Sequence, residues 1–119
     1  MSTTTTTSLE LAHRMVDVAS DKLGEDIVLL DLRPVDAFTD FFVVVSAESS
    51  RQINAIADGI EEELRKQAAR PMHREGSADS GWVVLDYGAV VAHVFDVERR
   101  SFYQLDSVWQ RAVPLVRIQ

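Results

Sequence analysis

Trp82-Val83-Val84-Leu85-Asp86-Tyr87-Gly88-Ala89-Val90-Val91-Ala92-His93-Val94-Phe95 is the stretch whose reading decides the fold. Two runs rich in β-branched and aromatic residues flank Gly88-Ala89, and glycine in first place suits a two-residue type II′ hairpin turn. With that loop, the register pairs Tyr87 with Val90, Leu85 with Ala92 and Val83 with Val94. Those six are apolar or amphipathic and share one side of the ribbon, which makes it a core face. The other side pairs Trp82 with Phe95, Val84 with His93 and Asp86 with Val91. An indole, an imidazole and a carboxylate stand there among apolar neighbours. Two readings stay open. One is a second buried layer under helices, with Asp86 capping the turn and His93 hydrogen-bonded; the other is a contact surface with Trp82 and Phe95 as anchors.

Upstream, Ile27-Val28-Leu29-Leu30-Asp31-Leu32 and Phe41-Phe42-Val43-Val44-Val45-Ser46 are unbroken apolar runs of strand length. Runs of that kind read as strands buried on both faces. Before them, Ser8 can cap a helix with Leu9, Ala12, Met15, Val16, Ala19 and Leu23 on one face, and Gly24 supplies a left-handed stop. Between the second strand and the hairpin, Ser49 and Gln52 form a capping box. The helix they open has the stripe Ile53, Ile56, Ala57, Ile60 and Leu64, with Glu61-Glu62-Glu63 partly opposite as a solvated face. Glu75 to Gly81 has loop composition. After Asp96 the chain reads as short helical pieces carrying Phe102, Tyr103, Leu105 and Trp109, and beyond Pro114 as an extended tail. Helices interleaved with buried strands, then a hairpin, give an α/β class: a single compact domain whose mixed β-sheet is flanked by helices.

Composition narrows the function. The 119 residues suit one domain. The absence of cysteine excludes disulfides, thiolate zinc sites and cysteine nucleophiles. Lys+Arg 12 against Asp+Glu 19 gives a net charge of -7. That balance weakens general attraction to phosphate backbones and suits a basic partner. No apolar run reaches the ~18 residues of a membrane-spanning helix. Met1 to Thr7 has neither a positive nor an apolar signal region. Residues 1–7 therefore read as a solvated threonine-rich tail, residues 8–119 as the domain, and the cytoplasm as the expected compartment.

Motifs for catalysis are sparse. His13, His73 and His93 have no ligand spacing among themselves, so neither a metal site nor a cofactor is expected. No nucleophile elbow or phosphate-cradling glycine loop occurs. Asp31, Asp40 and Asp86 stand at strand ends, yet none has a second carboxylate two residues away, the spacing of two-metal phosphoryl transfer. The expectation is a protein that is not an enzyme. The alternative is a divergent nucleotidyltransferase-fold enzyme acting on a nucleotide.

An ordered set of segments also resembles a known family. Thr39-Asp40-Phe41-Phe42-Val43-Val44 with Ser50-Arg51-Gln52 is followed by Glu75-Gly76, Trp82 to Gly88, Val91 to Phe95, and Arg100, Tyr103, Leu105 and Trp109. This series is similar to the signatures of the Iojap family, whose bacterial members are ribosomal silencing factors. It runs from about Leu9 to about Trp109. Ser46-Ala47 replaces a glycine-containing turn, and Asp106 stands where glutamate is usual. The resemblance implies a nucleotidyltransferase-like fold without the catalytic carboxylate pair. It further implies binding to the large ribosomal subunit through its protein L fourteen, a steric block to small-subunit joining, and repression of translation when nutrients are scarce. A role in large-subunit biogenesis and a homodimer are also implied.

The residues expected to meet the partner are Asp40, Trp82, Asp86, His93, Phe95, Arg100 and Tyr103. Trp82 and Phe95 would supply anchor area, while Asp40 and Asp86 would meet Lys or Arg. Arg100 and Tyr103 would form a rim or brace the strand ends.

Overall fold

The hairpin forms in the expected register and lies toward one end of a six-stranded sheet. Strand β4 (Trp82–Asp86) runs antiparallel to β5 (Val90–Asp96), pairing Trp82 with Phe95, Val84 with His93 and Asp86 with Val91. The computed structural model describes residues 7–35, 38–103 and 112–119, with 101–103 described by backbone alone. Gly88 takes the only positive φ of the two turn residues. The turn is nevertheless tighter than type II′. Ala89 N–H donates to the Tyr87 carbonyl at 3.1 Å, the i to i+2 bond of a γ-turn centred on Gly88. The Ala89 carbonyl accepts from the N–H groups of both Asp40 and Phe41 at 3.0 Å, and the Asp86 carboxylate accepts from Gly88 N–H at 2.7 Å.

Strand β2 (Phe41–Ala47) lies parallel to β5 and antiparallel to β1 (Glu25–Asp31). All seven β2 residues are buried, as an unbroken apolar run demands of a central strand. The two remaining strands correct the sequence reading. His73–Ser77, within and just before the expected loop, is strand β3 on the edge beside β4. The C-terminal segment is not a free tail: Val113–Ile118 pairs antiparallel with β1 as β6, with an irregularity next to Pro114. The full order is β3-β4-β5-β2-β1-β6, a mixed sheet. Edge strands hold by backbone pairing, so neither the polar composition of 73–77 nor the apolar residues of 113–118 revealed a partner strand. Proline is tolerated at an edge because its missing N–H can face away from the ladder.

Helices α1 (Ser8–Asp21) and α2 (Ser50–Arg65) cover one face of the sheet. The cap of α1 is Thr7, one residue before the expected Ser8, in a full capping box with Glu10. The expected box at Ser49 is half formed. Ser49 Oγ accepts from Gln52 N–H, but the Gln52 amide reaches past it to Glu48 N–H and to the carbonyls of Lys22 and Leu23. That amide fastens the end of α1 to the start of α2. The left-handed residue after α1 is Leu23, φ 65°, not Gly24. Leu23 N–H bonds to the Ser20 carbonyl and Gly24 N–H to that of Ala19, a Schellman stop displaced by one residue. Leu23 consequently leaves the apolar stripe and is 77% exposed. Gly24 is required for a different reason: a Cβ there would lie 2.7 Å from Val45 Cγ1.

The core has two layers. Met15, Ile53, Ile56, Ile60, Leu64, Val43, Val45, Leu85 and Val94 pack under α1 and α2. Val28, Leu30, Phe42, Val44, Val91 and Phe95 form the second layer, on the opposite face. Helix α3 (Val97–Tyr103) follows β5. Leu105, Asp106 and Trp109 lie outside the described residues, as do the side chains of Phe102 and Tyr103 and the tail 1–6.

Candidate functional site

Alternation along β4, β5 and β2 puts Trp82, Val84, Asp86, His93, Phe95 and Phe42 on the face away from α1 and α2. The rings form one connected cluster. Trp82 stacks on Phe95 with centroids 4.9 Å apart, and Phe42 meets His93 edge-on at 4.7 Å. His93 and Phe95 are near parallel at 6.0 Å. Trp82 Nε1–H donates to His93 Nδ1 at 3.2 Å. That bond assigns the ring proton to Nε2, which is buried and has no hydrogen-bond partner among the described residues. Burial pushes the His93 pKa down to about 4, so the ring is neutral.

The seven expected site residues fall into three groups. Trp82, His93 and Phe95 form the stack; Trp82 is half-buried, His93 is 7% exposed and Phe95 has no exposed surface. Phe95 therefore supports the Trp82 ring from beneath and offers no area of its own in this conformation. Asp40 and Asp86 flank the opposite end of β5, roughly 13 Å along the strand at ~3.3 Å per residue. Asp40 is exposed, whereas the Asp86 carboxylate caps the turn through Gly88 N–H. Arg100 is buried, and its Nη1 donates to the Asp26 carbonyl and to Ser46 Oγ. Of its two expected roles, rim or brace, the structure displays the brace: it ties α3 to the start of β1 and the end of β2. Tyr103 closes α3, and its side chain lies outside the described residues.

The sequence reading missed the surroundings of Trp82. An open cleft of about 560 Å³ is lined by Glu75, Gly76, Ser80, Trp82, Val84 and Arg99. Arg99 Nε–H donates to the Ser80 carbonyl at 3.1 Å, and Asp96 caps α3 by accepting from Arg99 N–H at 2.7 Å. Gly81 makes this junction possible, with φ +83° and no room for a Cβ beside the Asp96 carboxylate. Only the identification of 73–77 as a strand brings Glu75 to this place. Also missed was an ion pair at the end of β1. Arg33 grips Asp31 through Nε at 2.9 Å and Nη2 at 2.7 Å, and its own N–H adds a third bond. The Arg33 hydrogen bonds hold the Asp31 carboxyl below its usual range. The Asp-x-Arg spacing at a strand end was the available signal.

Chemically, the cleft offers an indole over an apolar floor, a buried donor nearby, and one charge of each sign at the rim. Asp31 is occupied by Arg33 and Asp86 by the turn. Among the described residues, no group of three or more His, Asp or Glu is placed to hold a metal ion.

The fold is a small α/β domain with a six-stranded mixed sheet, and known proteins share it. The family model for ribosomal silencing factor during starvation matches residues 5–119. A ribosomal silencing factor of Halalkalibacterium halodurans is 32% identical over 110 residues, covering 92% of this chain and 93% of that one. One from Bacillus subtilis is 35% identical over 89 residues, 75% of each chain. The chloroplastic Iojap protein of Zea mays is 32% identical over 90% of this chain, which spans 46% of that protein. A solved Chromobacterium violaceum structure superposes with a TM-score of 0.81 at 26% identity, covering 86% of this chain and 85% of that one. A Bacillus halodurans structure gives 0.75 at 31%, covering 86% and 95%. The chain belongs to the ribosomal silencing factor family.

Proposed function

We propose that this protein represses translation by docking on the large ribosomal subunit, through its protein L fourteen, and sterically preventing the small subunit from joining. The Trp82 cleft carries the reading. A half-buried indole held from beneath by Phe95 and through its N–H by His93 is a pre-ordered anchor, and such anchors dominate protein interfaces. Glu75 and Arg99 give the apolar centre a charged rim. Exposed Asp40 extends an acidic margin toward a basic ribosomal protein, and the net charge of -7 favours the encounter. No bond is made or broken in this mechanism, so the protein acts without catalysis or cofactor, in the cytoplasm. A contribution to large-subunit biogenesis belongs to the same reading, as does likeness to nucleotidyltransferases without their carboxylate pair. A homodimer is supported by the edge strand β6, which exposes Val113, Leu115 and Ile118.

The test is cosedimentation with separated large subunits, followed by addition of small subunits. The intact protein is expected to pellet with large subunits and to reduce particle re-formation. Trp82→Ala should bind at least roughly tenfold more weakly, the loss typical of an anchor residue. A folded Trp82→Ala protein that binds and silences normally overturns the assignment of this face.

A further inference from the structure

We propose that the cleft between α2 and β3 binds backbone phosphates of RNA, next to the protein-docking face. This inference rests on the reading that the chain docks on a ribosomal subunit. It begins with an uneven distribution of charge. Residues 65–74, Arg65-Lys66-Gln67-Ala68-Ala69-Arg70-Pro71-Met72-His73-Arg74, contain four of the 12 Lys and Arg residues and none of the 19 carboxylates. In an otherwise acidic chain, this is a local basic segment.

The fold turns that segment into a shaped site. An open cleft of about 510 Å³ is lined by Asp58, Glu61, Glu62, Arg65, Arg70 and Arg74. Arg74 faces the helix side because it stands opposite Leu85 in the β3–β4 ladder. Its Nη1 is held by Asp58 Oδ1 at 2.9 Å and by Glu61, which fixes the guanidinium plane. Arg65 is bonded to Glu62 one turn back. Arg70 is exposed and makes no hydrogen bond or ion pair among the described residues. It is presented from a stiff bend, with Ala68 left-handed at φ 61° and Pro71 limiting the backbone next to it.

Three guanidinium groups around one open cleft fit phosphate better than any neutral group, because their forks match two oxygens at once. Asp58 and Glu61 are engaged by Arg74 and Glu62 by Arg65, which leaves Arg70 as the first fork to meet an arriving phosphate. Arg65 stays bonded to Glu62 through Nη2 and offers its remaining guanidinium N–H groups as a second contact. The acidity of the remaining chain does not forbid this, since exposed charges beyond about 8 Å are screened at physiological salt. It does confine the contact to short range, after docking has brought phosphates near. Strand β3 supplies the geometry: Arg74 and Gly76 point to the helix side, while Glu75 and Ser77 share the Trp82 side. One five-residue edge thus borders both clefts, so a protein surface and its adjoining RNA are gripped from either side of it.

Arg70→Gln and the Arg65→Gln/Arg70→Gln double variant test the idea, because both side chains are exposed and neither packs in the core. Binding is measured to intact large subunits across about 50–300 mM salt, and separately to isolated, RNA-free L fourteen protein. The double variant should lose roughly three- to tenfold in affinity for subunits, and its log–log salt slope should shrink by about 1–2. Its binding to the RNA-free protein should be unchanged. An unaltered affinity and slope on subunits overturns the proposal. An equal loss on the RNA-free protein also overturns it, by showing that the cleft reads an acidic protein surface. Trp82→Ala keeps the two claims apart. If it binds subunits normally while the arginine variants do not, the assignment of the Trp82 face fails and the phosphate site stands.

Discussion

The two faces of the sheet are built from the same central strands and are held together in different ways. Under α1 and α2, Met15, Ile53, Ile56, Ile60, Leu64 and Leu85 are fully buried, and contact is mostly aliphatic, with Phe41 and Tyr87 as aromatic members. On the opposite face, Phe42, Trp82, His93 and Phe95 meet ring to ring, with a Trp82–His93 hydrogen bond and one buried N–H that has no partner among the described residues. An aliphatic layer draws its strength from area and tolerates no missing volume. A layer of rings with a polar member gives up some stability for orientation, and an unpartnered buried donor costs free energy that packing elsewhere must offset. The difference is one of kind: both faces bury core residues, and the ring face in addition holds a half-buried tryptophan in a fixed orientation.

The largest expected effect breaks the aliphatic face. Ile56→Ala should lower the unfolding free energy by about 3 kcal/mol, the usual cost of an unfilled core site. Val84→Ala, half-buried on the ring face, should cost about 1 kcal/mol. Urea denaturation measures both, and equal losses would mean that the faces are packed alike. Acid should break the ring face first. His93 titrates near 4 when folded against an ordinary 6.5, so the unfolded chain alone binds the proton between those values. Stability from this group is full above about pH 6.5 and falls as pH drops toward 4, by about 3 kcal/mol in total. Asp31 works in the same direction, at lower pH. Its pKa is depressed by Arg33, so its contribution is present above the usual carboxylate range and disappears at lower pH than the His93 loss. His93→Leu should flatten the pH 4–6.5 limb while leaving the Asp31 limb, as read by thermal melting across pH. A limb unchanged in that variant would assign the acid sensitivity elsewhere. The smallest effect calibrates both faces by touching neither: Leu23→Gly should raise stability by about 0.5–1 kcal/mol, since an exposed leucine is replaced at a left-handed position.

Much of this was legible before folding. The hairpin register needed only alternation and one glycine, and Asp86 caps its turn as a short acceptor beside a glycine will. The buried strands needed only apolar runs of the right length. The site was legible in part. Trp82, Asp86 and His93 were picked out among apolar neighbours, and Trp82 and His93 prove to be bonded to one another. Glu75 and Arg99 were not, because the first sits in a stretch of loop-like composition and the second in an ordinary charged run. Their place beside Trp82 depends on pairings made by backbone atoms, which every sequence possesses alike.

The sequence by itself determined which residues share a face, because side-chain direction follows from a period of two in strands and about 3.6 in helices. Through its ordered motifs it also determined the family. The tertiary structure alone decided that 73–77 and 113–118 close the two edges of the sheet, and that Leu23 rather than Gly24 turns the chain after α1. It alone decided that Arg100 reaches inward to Asp26 and Ser46, and that Arg74 gathers Asp58 and Glu61 at a second cleft. The reason is one of range: local periodicity records what a residue does to its own element, whereas backbone ladders and long charged side chains choose partners only once distant segments have met.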